Sequence, residues 1–260
     1  MTIQPLQITS RDNPLLLKLR KLAQDPAAYR KLGEIWVEGD HLCAACLTRN
    51  VPVRQGVFSQ SAWEQPALRA LARGAPRVAV VPDALFKAFS GLESPTGCGY
   101  LLPLDEGAAV LPGVATVVLD RLQDAGNAGS VLRSAAALGV RQIVALKGTV
   151  ALWSPKVLRA GMGAHFGLHL VEQATLADLD RLGVPLVGTS SHTPAELHQT
   201  ALPSPCAWVL GHEGQGIEAE LLARCALTVR IPQPGGEESL NVAAAAAICL
   251  YESLRQRPAA

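Results

Sequence analysis

Three stretches of this 260-residue chain place chemistry-bearing residues at close spacing beside glycine. The first is Asp120-Arg121-Leu122-Gln123-Asp124-Ala125-Gly126-Asn127-Ala128-Gly129, read as a loop running into a helix with Arg133 on its first turns. Glycines permit close backbone approach, a helix amino terminus offers free N–H groups to an anion, and an arginine there opposes the helix dipole. Together they point to anion binding. The second stretch, Gly211-His212-Glu213-Gly214-Gln215-Gly216, sets a carboxylate between close-spaced glycines. The third runs from Ile231-Pro232-Gln233-Pro234 to Glu237-Glu238-Ser239-Leu240-Asn241. Glu238 or Ser239 could serve there as a helix N-cap, which leaves Asn241 and the two prolines unexplained.

Each stretch follows an apolar run that reads as a strand: residues 114–119, 207–210 and 227–231. Further strands are expected at 142–146, 168–171 and 185–188, with helices between them, one at 130–138 and a long last one over about 239–256. Unbroken apolar strands alternating with helices predict an α/β fold with a parallel sheet, whose ligands gather at the strands' carboxyl ends. The front of the chain also reads as α/β. Asn13 caps a helix over 14–24 with Pro14 at its first position; strands follow at 35–37, 53–58 and 78–81, and helices at 40–47 and 66–72. The small, acidic, Pro/Gly-bearing stretch 105–113 is the candidate linker.

Composition bounds the function. Apolar residues make up 49% and charged residues 17%, ample for a core. The longest apolar run, 242–251, is ten residues, against roughly 18 for a membrane span. No basic n-region opens the chain, so an intracellular protein is expected. Six scattered cysteines do not suggest a disulfide framework; His41, Cys43 and Cys46 lack the further ligands of a metal site and read as core packing. Residues 1–105 carry twelve Lys/Arg against nine Asp/Glu, while 106–260 carry eleven against thirteen. Arg11, Lys18, Arg20, Lys21, Arg30 and Lys31 crowd the first 33 residues, either a phosphate-contacting patch or a solvated helix face.

Asn127-x-Gly129-x-x-x-Arg133, Leu210-Gly211-His212-Glu213-Gly214-x-Gly216 and Ile231-Pro232 … Glu238-Ser239-Leu240-Asn241-Val242 resemble the three ordered motifs of the SpoU (TrmH-like) class of SPOUT RNA 2′-O-ribose methyltransferases. Ser154-Pro155-Lys156-Val157-x-Arg159-Ala160-x-x-Gly163-Ala164 is similar to that family's mid-domain segment. Ile8-Thr9-Ser10-Arg11-x-Asn13-Pro14 and Val37-Glu38-Gly39 resemble its RNA substrate-binding domain. The chain departs from the family pattern with His212 in place of a common Asn, Gln233 in place of the usual Met, and alanines after Val242.

The resemblance implies an L30e/L7Ae-like RNA-binding domain over 1–107, then a methyltransferase domain over 112–260 with a deep trefoil knot. It implies S-adenosylmethionine held by backbone at Gly211, Ile231 and Leu240 with Thr189 nearby, and a catalytic group of Asn127, Arg133, Glu213, Ser239 and Asn241. No metal is required, because attack on a sulfonium methyl neutralises positive charge. A guanidinium stays protonated at neutral pH, so Arg133 is expected to bind the target phosphate and orient the hydroxyl, with Asn127 and Glu213 holding it and the ribose in register. A homodimer with sites drawing on both subunits, a cytoplasmic location and a structured RNA substrate follow, ribosomal RNA favoured over tRNA by analogy. Arg11, Lys18 and Lys21 are the expected RNA contacts.

Rival classes predict features this chain lacks. Gly126 and Gly129 leave only a GxxG, without the GxGxxG of a dinucleotide enzyme, and Gly188-Thr189-Ser190-Ser191-His192 lacks the last glycine of GxSxG. An RNA-binding module of the same fold without catalysis remains the alternative; a pure binder has no need of the Asn127, Arg133, Glu213 and Asn241 set.

Overall fold

Asn13 and Pro14 open the first long helix as their types require. The Asn13 side chain accepts from Leu15 N at 2.9 Å, and proline occupies the first turn, where its missing N–H is no loss. The computed structural model describes residues 4–105, 107–235 and 239–257. Two units divide the chain: Met1–Glu106 with Trp153–Phe166, and Gly107–Leu152 with Gly167–Ala260.

In chain order the first unit contains β1 (Leu6–Gln7), α1 (Pro14–Gln24), α2 (Ala28–Leu32), β2 (Glu34–Glu38), α3 (Asp40–Thr48), β3 (Gln55–Ser59), α4 (Gln60–Glu64), α5 (Pro66–Arg69), β4 (Val78–Val81), α6 (Asp83–Phe89) and β5 (Cys98–Pro103). Its sheet runs β1-β4-β3-β5-β2 and is mixed: β1 and β3 flank β4 in parallel, and β5 pairs antiparallel with β3 and β2. β5 has no counterpart in the sequence reading, although it joins the two halves of the sheet. Trp36, Phe86 and Phe89 form an aromatic cluster in the core, the two phenylalanine rings 4.8 Å apart. Cys43 and Cys46 are buried on α3, as core packing requires.

The second unit holds β6 (Thr116–Leu119), α7 (Ala125–Ala137) and β7 (Gln142–Leu146); α8 (Pro155–Gly161) then lies in the segment that belongs to the first unit. The chain returns with β8 (His169–Ala174), β9 (Leu186–Thr189), β10 (Ala207–Leu210), α9 (Ala219–Ala223), β11 (Leu227–Val229) and α10 (Val242–Arg255). Six strands in the order β11-β9-β10-β6-β7-β8 are all parallel, as their unbroken apolar runs predict. Val110, Val118, Val144 and Val209 belong to its core, so part of the stretch expected to be linker is packed. The buried Gln142 fixes it further, donating to Leu111 O and accepting from Leu111 N. Among the described residues no helix is long and apolar enough to cross a membrane.

Two helix starts differ from the sequence reading. α7 begins at Ala125, five residues before the expected 130, because Asp124 accepts from Asn127 N at 2.7 Å and caps it early. Arg133 therefore lies in the third turn. α10 is capped by Asn241, whose Oδ1 accepts from Ala243 N and Ala244 N; Ser239 precedes the cap, and Glu238 lies outside the described residues.

Candidate active site

Strand register brings the three loops to one sheet edge. Leu119 pairs with Leu210, Gly188 with Val209, and Thr189 with Val229. The residues that follow, Asp120, Gly211, Ser190 and Arg230, thus leave the sheet together. The chain runs outward from β6 through β7 and β8, then places β10 on the other side of β6. The ends of β6 and β10 form the topological switch point where an open α/β sheet offers a crevice.

Asp120 directly follows β6, with its side chain almost fully buried. It accepts from Arg121 Nε at 2.9 Å and from Glu218 N at 2.7 Å, tying the loop after β10 to the end of β6. Arg121 takes a left-handed φ of +56°, unusual for a residue with a side chain, and its pKa is raised by the bond to Asp120. Its Nη1 donates to Gln215 Oε1.

Glu213 is the centre of the cluster. Its carboxylate accepts from Gln123 N (3.2 Å), Asp124 N (3.0 Å) and Asn127 Nδ2 (3.2 Å). Burial alone would raise its pKa, but the backbone donors and the Asn127 carboxamide outweigh it, and the group stays below the usual carboxylate range. Asn127 Oδ1 in turn accepts from Asn241 Nδ2 at 2.9 Å. The anion drawn to the start of α7 is therefore the chain's own: Asp124 at the cap and Glu213 just ahead of it.

One residue from each of the three loops, Asn127, Glu213 and Asn241, is joined in a single hydrogen-bonded chain. Arg133 does not join it. Six residues beyond Asn127 on one helix, it lies about 9 Å along the axis and about 120° around it. It is exposed, and no described residue forms a hydrogen bond or ion pair with it. Within this chain Asn127 and Glu213 thus bind each other and not Arg133.

Beside the cluster, an open cleft is lined by Thr189, Arg230, Ile231, Gln233, Ser239 and Leu240, among others. Three of the four expected cofactor residues, Thr189, Ile231 and Leu240, meet there. Gly211 is not among the lining residues. Its need for glycine is internal: a Cβ would come within 2.2 Å of the Gly216 carbonyl carbon and 2.3 Å of Ile217 N. Gln233 Oε1 is buried in the cleft wall with no hydrogen-bond partner among the described residues, an acceptor that a ligand donor would satisfy. The sequence reading gives Asp120 and Arg121 no role of their own and notes Gln233 only as a departure from the family pattern; an aspartate directly after an apolar strand is the available signal for the first.

In the first unit, Lys18 donates to the buried carboxylate of Glu34 at 2.6 Å, with Arg54 on its other oxygen at 3.1 Å. Lys18 thus has a structural duty. Arg11 is exposed, with Asp12 3.9 Å away, and Lys21 is exposed in the last turn of α1. Glu38, in the stretch Val37-Glu38-Gly39, accepts from Ser90 Oγ, Gly91 N and Trp36 Nε1, and so acts as an internal staple.

The model of the SpoU rRNA Methylase family matches residues 115–251. An uncharacterized tRNA/rRNA methyltransferase of Synechocystis is 34% identical over all of this chain and 97% of its own. The 23S rRNA (guanosine-2′-O-)-methyltransferase RlmB of Bordetella pertussis is 35% identical over 73% of this chain and 75% of its own. An AdoMet-bound rRNA methyltransferase from Sinorhizobium meliloti superposes with a TM-score of 0.82 at 26% identity, covering 97% of this chain and 98% of that one.

Proposed function

Because the chain belongs to the SpoU rRNA methylase family, we propose that it is an S-adenosylmethionine-dependent methyltransferase acting on the ribose 2′-hydroxyl of ribosomal RNA. The observation that carries this reading is the hydrogen-bonded chain Glu213–Asn127–Asn241 at the switch point, adjoining the cleft of Thr189, Ile231 and Leu240. Relatives named for 23S rRNA favour ribosomal RNA over tRNA.

When bound, S-adenosylmethionine supplies an activated methyl group on a sulfonium, so the protein's tasks are positioning and proton handling. Thr189, Ile231, Leu240 and the backbone of Gly211 hold the cofactor, and Gln233 Oε1 offers its free acceptor to a cofactor N–H. Glu213 and Asn241 fix the Asn127 carboxamide, and Ser239 lines the adjoining cleft. Arg133, with no described partner of its own, is free to grip a target phosphate and orient the 2′-hydroxyl, whose proton passes to phosphate or water.

The active form is a homodimer. α10 presents Ile248, Tyr251 (60% exposed) and Leu254 to solvent on one stripe. A second copy covers such a face well. Arg133, turned away from Asn127, then serves the site of that second copy. The return of α10 from the edge strand β11 to pack on α7 and β10 supports the trefoil knot: its carboxyl end is bound to Leu202 N and Thr200 O, in the connection between β9 and β10. The unit bearing Arg11 and Lys21 selects the RNA, with an L30e/L7Ae-like fold; it takes in residues 153–166 as well as the front of the chain, and the rest forms the methyltransferase unit. Six free cysteines suit the cytoplasm.

The test is transfer of labelled methyl to unmodified ribosomal RNA and, separately, tRNA, followed by nucleoside digestion. Label on a ribose 2′-oxygen of ribosomal RNA, absent with Arg133→Ala, is the expected result. Cofactor binding without transfer to either RNA would favour the catalytically silent module.

A further inference from the structure

The turn that carries Glu213 is held from within by its own histidine. His212 N donates to Gly216 O at 3.0 Å, and Gly216 N donates back to His212 O at 2.8 Å. Inside that ring, the imidazole Nδ1 accepts from Gly214 N at 3.0 Å and Gln215 N at 3.3 Å. Both partners are backbone donors, so Nδ1 must offer a lone pair. The neutral ring with its proton on Nε2 is the form that satisfies the geometry.

We propose that His212 is a positioning residue for methyl transfer: its unprotonated Nδ1 clamps the 212–216 turn, fixing Glu213 and the backbone of Gly211, and protonation releases the clamp. This rests on the proposed methyltransferase reading. Outside the clamp the loop is anchored through Glu213 to Gln123, Asp124 and Asn127, through Gln215 to Arg121, and through Glu218 N to Asp120. Those anchors fix where the loop sits. The imidazole fixes the shape of the turn between them, where Gly214 and Gly216 offer little stiffness of their own.

Protonation puts a hydrogen on Nδ1 that faces two N–H groups, so both bonds are lost together. The charged groups of the turn and of the segments it lies against are Glu213, Glu218, Asp120, Asp124 and Arg121. Release frees the backbone on both sides of the Glu213 carboxylate, and with it the order of the Asn127–Asn241 chain. An asparagine at this position carries a carbonyl oxygen able to accept from the same two N–H groups, and it does not titrate.

The experiment compares the full-length protein with His212→Asn and His212→Phe from about pH 8 to about pH 5.5. Nitrogen-15 spectra of the His212 ring and amide exchange at Gly214 and Gln215 read the clamp without reference to activity. S-adenosylhomocysteine binding and methyl transfer read its consequence. The expected result is an unprotonated Nδ1 at the upper pH, with both amides exchanging faster as the ring charges. Transfer falls in parallel in the wild type, is flatter with pH in His212→Asn, and is reduced about tenfold at every pH in His212→Phe. A proton on Nδ1 at the upper pH, an unchanged acid limb in His212→Asn, or wild-type transfer by His212→Phe overturns the proposal. If the ring and amide signals behave as expected but neither ligand binding nor transfer is found at any pH, the clamp stands as structure and the methyltransferase reading fails.

Discussion

Asn241 Nδ2 lies 2.9 Å from Asn127 Oδ1, joining two helix amino termini that are 114 residues apart in the chain. The same Asn241 side chain uses its oxygen to cap α10. One carboxamide therefore both starts the last helix and sets its distance from α7. Asn241→Asp keeps the capping acceptor, removes the donor and brings a negative charge toward Asn127 and Glu213. Transfer should fall at least tenfold with the melting temperature nearly kept, whereas Asn241→Ala also loses the cap, about 1 kcal/mol. Thermal melts beside a methyl-transfer assay separate the two.

Arg133 makes the opposite prediction to a structural arginine. Exposed and without a described partner, it contributes little to stability, and Arg133→Ala should shift unfolding by no more than about 0.5 kcal/mol. Transfer should fall on the order of a hundredfold, and Arg133→Lys should not restore it, since an ammonium cannot reproduce a two-pronged grip on phosphate. Near-full turnover by Arg133→Lys would sink that role.

Gly211→Ala tests the turn itself. A methyl group there meets backbone atoms of Gly216 and Ile217, which cannot move without opening the loop. The cost should be at least about 2 kcal/mol. Calorimetric titration with S-adenosylhomocysteine should show lost affinity, while the circular dichroism of the sheet stays intact.

Lys18 and Arg11 separate stability from RNA contact. Lys18→Ala removes one of two cations from a buried carboxylate and should lower the melting temperature by a few degrees. Arg11→Ala should leave the melt unchanged and weaken RNA binding, reducing the salt dependence of the affinity by about one ion. Filter binding across a salt series reads the second effect.

Glu213 links the site to acid. Its carboxyl lies below the ordinary range when folded, so its stabilisation is present in full at neutral pH. As pH falls from the ordinary carboxyl pKa through the lower folded one, that contribution is lost. Glu213→Gln should thus be less stable than wild type at pH 7, with the gap closing below about pH 4. Urea midpoints at several pH values will show whether it closes.

The parallel sheet was legible because buried strands leave largely apolar runs; 142–146 and 207–210 match β7 and β10 residue for residue. β5 was not, since Cys98-Gly99-Tyr100 breaks any simple pattern and its partners lie far off in the chain. The start of α7 was misplaced because Gly126 and Gly129 suggest a loop, while the capping bond of Asp124 outweighs their low helix propensity. The site residues could be named from their motifs, and three of them do join. That Asn127 and Glu213 turn toward each other and away from Arg133 depends on helical phase, which the misplaced helix start obscured. Lys18 reads as a free surface cation until Glu34, sixteen residues on, is seen beneath it.

Residues 153–166 give the chain an unusual kind of modularity. The polypeptide passes from the first unit to the second, back again, and over once more. Val157 and Leu158, embedded in that borrowed segment, are fully buried, and a Cβ at Gly163 would strike the Ala45 methyl at 2.7 Å. The two units are therefore not beads that can be cut apart at residue 107. A fragment starting there would carry an apolar helix without its cover, and the front fragment would lack a piece of its own wall. Exchanging RNA-recognition units between relatives thus requires grafting two segments together, so that α8 and the unit it completes are inherited as one.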